Sequence, residues 1–169
     1  MNKKKWLSNE DYKKIQKTMP IVCVDIVPFR ILKENPKKIE IGLILRPSIK
    51  IKRWCFVGGR ILKDEIIPDA IHRQLTETLG DKIKYNFEKD TQPVYVAQYF
   101  SKKTDDYGFD PRQHSVGLTY FLNIEGEIKP GGEALDFKWF NIDELPPHAE
   151  FGFEQDRLLK KILELKKII

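Results

Sequence analysis

The glycine pair at 58–59 constrains the fold of this chain more than any other feature, because it joins two segments of different periodicity. The residues just before it, RWCFV, are the aromatic and branched types that favour a strand. From Pro68 to Leu79 apolar residues recur at helical spacing, with Pro68 suited to the first turn and Gly80 to the residue just past the end. Since glycine has no Cβ, a ligand can approach the backbone closely at this junction.

The rest of the chain contains periodic runs that predict further strands and two further helices. Ser8, followed three residues later by Asp11, starts a short helix, and an amphipathic pattern near the end of the chain predicts another. Strands between helices on both sides predict an α/β fold, an α/β/α sandwich with a mixed β-sheet. The predicted helices are 9–18, 68–79 and 153–167, the predicted strands are 21–32, 39–46, 53–57, 93–100, 114–124 and 135–140, and a turn at 33–38 makes the first two strands a hairpin.

Length and composition predict one globular domain over residues 1–169, with 1–19 as an N-terminal helical extension. Hydrophobic residues make up 41%, an ordinary share for a chain with one full core. No apolar run approaches the roughly 18 residues of a membrane span, and no apolar stretch follows the basic N-terminus, so we expect a cytoplasmic protein without a membrane partner. Cys23 and Cys55 lie in apolar strands, which favours buried thiols over a disulfide.

The formal net charge is +5, and lysines near the two ends contribute much of it. A nucleic-acid binder would need basic residues interleaved with aromatic ones along one face, and the sequence lacks that pattern. Two interpretations of the charge stay open: a solvated surface, or a field that attracts an anionic substrate. The sequence does not decide the oligomeric state, and a homodimer stays open.

The helix after the glycine pair places Arg73 and Glu77 four residues apart and therefore on one face. A carboxylate on that face, close to a loop that offers backbone carbonyls, is a candidate Mg²⁺ site. Mg²⁺ takes oxygen ligands, keeps several waters and is often completed by substrate phosphates. One carboxylate and one carbonyl would suffice if a diphosphate supplied further oxygens.

The segment from Gly58 to Gly80 resembles the Nudix signature, G-x5-E-x7-R-E-U-x-E-E-x-G-U, where U is a bulky aliphatic residue. The resemblance implies a Nudix-type sandwich, Mg²⁺ or Mn²⁺ held by Glu77 and the backbone oxygen of Gly58 or Gly59, and a Glu65–Arg73 pair that braces the loop. It also casts doubt on a standard pyrophosphatase, because metal-ligating glutamates are replaced. The matching residues are Gly59, Glu65, Arg73, Leu75, Glu77 and Gly80, and the departures are Gln74, Thr78 and Asp81.

One branch of that family, the GDP-mannose mannosyl hydrolases, lacks some box glutamates and is similar to this chain beyond the box. The likeness extends over roughly Pro20 to Asp156, through segments such as PIVCVDIV, WCFVGGRILKDE and HSVGLTYFL. It implies hydrolysis of a nucleoside diphosphate sugar, with His148 as general base and His114 as a substrate contact. In that mechanism water attacks the sugar carbon. The metal then neutralises only the departing diphosphate, with help from Arg46 and from Arg60, which makes Arg60 a candidate catalytic residue.

Three further residues are candidate substrate contacts. Arg46 and Arg60 flank the glycine pair, and two guanidinium groups match the charge and geometry of a diphosphate. Asp25 is a carboxylate in an apolar strand and needs a partner, which a substrate or an arginine could provide.

Two other functional hypotheses stay open. One is attack at phosphorus on another nucleoside diphosphate derivative, with Asp136 or Glu133 as base. The other is a Nudix-fold nucleotide-binding module that has lost catalysis together with the replaced glutamates at Gln74 and Thr78.

Overall fold

The computed structural model describes residues 7–32, 34–48 and 51–168, and it leaves the side chains at 36, 37 and 48 undescribed. The lysines at 3–5 and the start of the predicted N-terminal extension lie outside the described residues.

Two short 3-10 turns, Ile142–Glu144 and His148–Glu150, accompany the helices and strands. The helices are α1 (Asn9–Thr18), α2 (Ile67–Leu79) and α3 (Gln155–Leu165), and the strands are β1 (Ile21–Leu32), β2 (Asn35–Ser48), β3 (Ile51–Cys55), β4 (Val57–Arg60), β5 (Ile83–Tyr85), β6 (Tyr95–Phe100), β7 (Gly108–Phe109), β8 (Ser115–Gly126) and β9 (Asp136–Asn141).

The strands form a mixed sheet in the order β3-β2-β1-β8-β6-β7. The β1–β8 and β6–β7 pairs are parallel, and the other pairs are antiparallel. Three strands branch from this path, because β4 also pairs with β1, β9 with β2 and β5 with β8. The central strand β1 therefore has neighbours of both directions, and the glycine pair of β4 lies directly against it.

The sheet carries one hydrophobic core on each face, because successive residues of a strand point to opposite sides. Leu43 of β2 belongs to the cluster that contains the buried residues of α3, whereas the next residue, Ile44, belongs to the cluster that contains those of α2. Leu75 of α2 and Ile162 of α3 are both completely buried. Helices thus cover both faces, which confirms the predicted α/β/α sandwich with a mixed sheet.

The local signals explain why α1 and α2 begin and end where they do. The Ser8 side chain caps α1 by accepting a hydrogen bond of 3.1 Å from the Asp11 amide. Pro68 occupies the first turn of α2, and Gly80 follows its last residue with a φ of 90°, a left-handed value that favours glycine. Both helices agree with the predicted spans to within one residue.

Other predicted boundaries differ from the structure. The strand β2 begins at Asn35, so the predicted turn at 33–38 is shorter. The predicted strand 53–57 is interrupted at Phe56, whose amide donates 2.8 Å to Gln155 Oε1. The helix α3 starts at Gln155 rather than 153 because the two residues before it have left-handed backbones. The strands β5 and β7 were not predicted, since so few residues cannot show a period.

Among the described residues, no helix is long and apolar enough to cross a membrane.

Candidate functional site

A cavity of about 250 Å³ opens beside the glycine pair. The pairing of β1 with β4 forms one side of it and sets Asp25 opposite Gly58. The remaining wall includes residues of α1, of β2, β6 and β8, of the segments after β7 and before β9, and of the turn that leads into α3. The charged side chains that line it are Asp25, Arg46, Arg60, Asp110, Arg112 and Glu133, and Phe153 contributes an aromatic ring.

Asp25 is a buried carboxylate for which the sheet makes room with two glycines. A Cβ at Gly58 would lie 3.0 Å from Asp25 Oδ1, and a Cβ at Gly117 would clash with Oδ2. The Tyr99 hydroxyl donates 2.8 Å to Oδ2, and the Gln155 side-chain amide donates 3.2 Å to that hydroxyl. Burial raises the pKa of Asp25 to about 6, although the Tyr99 hydrogen bond and the Arg46 charge both act to lower it.

Three arginines line the cavity. Arg46 forms an ion pair of 2.5 Å with Glu133, Arg112 binds Asp110 through two hydrogen bonds of 2.8 Å, and the guanidinium carbon of Arg60 lies 3.9 Å from the ring centroid of Tyr12. Burial raises the pKa of Glu133, while Arg46 and Arg112 act to lower it. The cavity is thus rich in forked cationic groups of the kind that bind phosphate oxygens.

Two charged groups in the cavity wall keep hydrogen-bonding capacity. In the described part of the chain, Arg46 Nε and Glu133 Oε1 are both buried and have no hydrogen-bond partner. Such atoms are expensive to bury unless a water or a ligand satisfies them. Both atoms belong to residues that line the cavity.

The loop between β4 and α2 is fastened by a buried ion pair. Arg73 donates from Nε to Glu65 Oε1 at 2.7 Å and from Nη2 to Oε2 at 2.8 Å. The same Nη2 reaches the Arg60 carbonyl at 3.0 Å, and Glu65 accepts from the Leu62 amide at 2.9 Å. These contacts tie the backbone beside the cavity to α2, and the hydrogen bonds to Glu65 raise the pKa of Arg73.

Gln74 occupies the space between α2 and the glycine pair, where the signature has a glutamate. A Cβ at Gly59 would lie 2.6 Å from the end of the Gln74 side-chain amide. In the amide orientation that satisfies both of its ends, Gln74 donates 3.3 Å to the Gly58 carbonyl and accepts 2.9 Å from Arg73 Nη1. A backbone oxygen considered above as a metal ligand is therefore already a hydrogen-bond acceptor.

The other predicted metal ligand, Glu77, is exposed on α2. Its carboxylate lies 3.6 Å from Arg73 Nη1, and Thr78 beside it is buried and uncharged. Across the described ranges, no three His, Cys, Asp or Glu side chains are grouped so that they could hold a metal ion. The residues present therefore do not fit a ready-made Mg²⁺ centre.

The structure does not bring the two predicted histidines into the cavity. His148 is exposed in a 3-10 turn, and its Nδ1 lies 2.8 Å from Asp156 Oδ2. It lines a second pocket of about 370 Å³ together with Arg53 and Lys103, and Phe153 lines both this pocket and the cavity. His114 precedes β8 and stacks on Phe100 with ring centroids 4.6 Å apart. Neither histidine is among the residues that line the cavity.

Of the two carboxylates considered as a base for attack at phosphorus, Glu133 lines the cavity and Asp136 does not. Asp136 is exposed, and its side chain accepts from the Phe137 amide.

Several cavity residues escaped the sequence analysis. Tyr99 and Phe153 look like ordinary core aromatics in sequence, and Gln155 looks like a helix residue. Asp110 and Arg112 lie two apart in a polar loop, a spacing that by itself predicts no contact with distant strands. The cysteines are free thiols, and Cys23 lines the cavity with a pKa that burial raises well above its ordinary value.

Comparisons with known proteins agree with the fold. The ADP-ribose pyrophosphatase of Methanocaldococcus jannaschii is 28% identical over 169 residues, which cover 96% of this chain and 85% of that protein. A solved structure from Jonesia denitrificans, described as a possible asymmetric diadenosine tetraphosphate hydrolase, has a TM-score of 0.79 and 29% identity over 89% of this chain and 96% of its own. The NUDIX domain of Shewanella oneidensis NrtR complexed with ADP ribose has a TM-score of 0.59 at 16% identity over 94% of this chain and 98% of its own, and so shows the fold alone.

A protein-family model also matches nearly the whole chain, over residues 2–166. Its description is "Domain of unknown function (DUF4916)". The chain therefore belongs to the DUF4916 family, and it has the fold of the Nudix hydrolases.

Proposed function

We propose that this protein is a Nudix-type hydrolase that cleaves the pyrophosphate bond of a nucleoside diphosphate derivative such as ADP-ribose. The observation that carries the proposal is the cavity beside Gly58-Gly59, which is lined by Arg46, Arg60 and Arg112. Three guanidinium groups suit a diphosphate, because the oxygens of its two phosphate groups accept paired hydrogen bonds and share the negative charge. The two glycines beside them have no Cβ, so a ligand can approach their backbone closely.

The unsatisfied atoms of the Arg46–Glu133 pair support a polar ligand in the same place. A buried donor or acceptor without a partner costs on the order of 1–3 kcal/mol, and more when it is charged. A phosphate oxygen can accept from Arg46 Nε, and a water molecule can donate to Glu133 Oε1. Bound substrate and its attacking water would thus satisfy both atoms.

Glu133 is the carboxylate that we assign as general base. Its Oε2 pairs with Arg46, and its buried Oε1 has no hydrogen-bond partner, so Oε1 is the oxygen that would take the proton. Burial raises the pKa of Glu133, which makes the carboxylate a better proton acceptor than an exposed glutamate. In this step water adds to phosphorus, the bond to the bridging oxygen breaks, and the proton of water passes to Glu133.

GDP-mannose hydrolysis at carbon has weaker support. That mechanism needs His148 close to the sugar, and His148 lines a different pocket and contacts Asp156. The relatives are described in terms of ADP-ribose and diadenosine tetraphosphate, not of GDP-mannose.

The test is turnover of a panel of ADP-ribose, diadenosine tetraphosphate and GDP-mannose in ¹⁸O-labelled water, with and without Mg²⁺, followed by mass spectrometry. Attack at phosphorus converts ADP-ribose into AMP and ribose 5-phosphate, with the label in a phosphate. Label in free mannose, together with a loss of roughly 10²–10⁴-fold in His148→Ala, would support the carbon route instead. Binding of nucleotide without any turnover would support the binding module.

A matched pair of variants tests the role of the cavity arginines. Arg46→Gln removes a guanidinium that pairs with Glu133 in the cavity, and we expect it to raise the KM by about tenfold or more. Arg30→Gln removes an arginine that pairs with Glu40 at the same distance of 2.5 Å, at a site that does not line the cavity. Equal effects of the two substitutions would contradict the proposed site.

A further inference from the structure

The turn that leads into α3 contains two consecutive residues with left-handed backbone. Phe153 has a φ of 57° and Glu154 a φ of 58°. Residues other than glycine rarely adopt this region, because their Cβ strains the backbone there. Two in succession persist only if the surrounding contacts fix them.

Those contacts come from both sides of the turn. The Phe153 carbonyl accepts 3.1 Å from the Phe109 amide of β7. The Glu154 carboxylate pairs with Lys103 at 3.3 Å and with Arg157 at 3.2 Å. The strained turn is thus held by a strand, by a loop lysine and by the first turn of α3.

The turn places the Phe153 ring among the cations of the cavity. The guanidinium carbon of Arg46 lies 5.5 Å from the ring centroid, and that of Arg112 lies 5.1 Å from it. An aromatic face attracts cations at such distances, because its quadrupole is negative above and below the ring. One ring therefore contacts Arg46 of β2 and Arg112 of the loop after β7. The like charges of these two arginines repel each other.

We propose that Phe153 is a positioning residue whose ring, fixed by the left-handed backbone at 153–154, holds Arg46 and Arg112 at the spacing that a diphosphate needs. The inference rests on the proposed function, in that it assumes a diphosphate in the cavity. Each arginine also has a carboxylate partner, Glu133 or Asp110. The ring adds a contact common to both, so that a change at Phe153 affects the two guanidinium groups together.

The experiment measures binding of inorganic pyrophosphate and of ADP by isothermal titration calorimetry at low ionic strength. Phe153→Leu keeps an apolar side chain but removes the ring, and we expect about tenfold weaker binding of both ligands. Phe153→Tyr keeps the ring and should bind within about twofold of the parent protein. Pyrophosphate has no base, so a loss that appears with ADP alone would show that the ring stacks on the base and would overturn the inference.

Tyr95→Leu is the matched control. Tyr95 is half-buried and its ring contacts a cation, Lys161, at 5.9 Å, but it lines neither the cavity nor the pocket beside His148. We expect its pyrophosphate affinity to equal that of the parent protein. An equal loss in both leucine variants would mean a general loss of packing and would contradict the positioning role.

Coupling to an arginine separates positioning from stability. If Phe153 acts through Arg112, Arg112→Gln combined with Phe153→Leu should weaken binding by less than the product of the two single effects. If the effects of the two substitutions on binding multiply fully, the inference is overturned. If Phe153→Leu does not fold, Phe153→Met takes its place in the experiment. No pyrophosphate or ADP binding by the parent protein would overturn the proposed function as well, whereas binding that Phe153→Leu leaves unchanged would overturn this inference alone.

Discussion

Asp25→Asn should make the protein more stable at neutral pH. The Asp25 carboxyl is buried, and desolvation raises its pKa from 3.8 to about 6. An acid whose pKa is raised by folding stabilises the folded state fully below the unfolded-state pKa, and this contribution is lost as the pH rises through the folded-state pKa. Stability from this group is therefore present below about pH 4 and declines until the pH exceeds about 6.

The magnitude follows from the shift. A difference of one pKa unit corresponds to about 1.4 kcal/mol, so the shift from 3.8 to about 6 corresponds to roughly 3 kcal/mol in the free energy of unfolding. Asparagine keeps an oxygen that can accept from the Tyr99 hydroxyl and carries no charge. We therefore expect the variant to gain stability relative to the parent protein as the pH rises from 4 to 8, by up to roughly 3 kcal/mol.

The assay is urea unfolding of both proteins at several pH values between 4 and 8. The free energies of unfolding are compared at each pH, so that the contributions of the other carboxylates cancel. Asp136→Asn, at an exposed carboxylate outside the cavity, is the control and should show no such trend. A stability difference between Asp25→Asn and the parent that stays constant over this range would refute the reasoning, because an ionised buried carboxylate must produce a pH-dependent difference.

Two further predictions concern the loop and the metal. Arg73→Ala leaves Glu65 buried without its partner and should lower the free energy of unfolding by roughly 3–5 kcal/mol in urea titrations, whereas Lys82→Ala, in an exposed pair with Glu127, should change it by less than about 1 kcal/mol. An inactive Arg73→Ala with full stability would instead indicate contact with substrate. Calorimetric titration of Mg²⁺ without nucleotide should detect no tight site, because the described residues include no metal-binding cluster. Micromolar Mg²⁺ binding that Glu77→Gln abolishes would contradict this and would establish Glu77 as a ligand.

The amino-acid sequence by itself determined the elements whose cause is local. A run rich in Val and Ile is enough to predict β1, and alternation of apolar residues is enough to predict β8. The spacing between Pro68 and Gly80 is enough to predict α2. Ser8 predicts the start of α1 because its cap contacts an amide only three residues away. The order of these elements also predicted the sandwich, because strands between helices have few ways to bury two apolar faces.

Only the tertiary structure decided which side chains share the cavity. Asp25, Tyr99 and Gln155 lie far apart in sequence, and their hydrogen bonds depend on two glycines that leave space beside Asp25. The left-handed turn at 153–154 conflicts with the helical pattern that predicted α3 from residue 153, since contacts with β7 and Lys103 outweigh local preference. Periodicity reports which face of an element is buried, whereas a binding site depends on where separate elements meet.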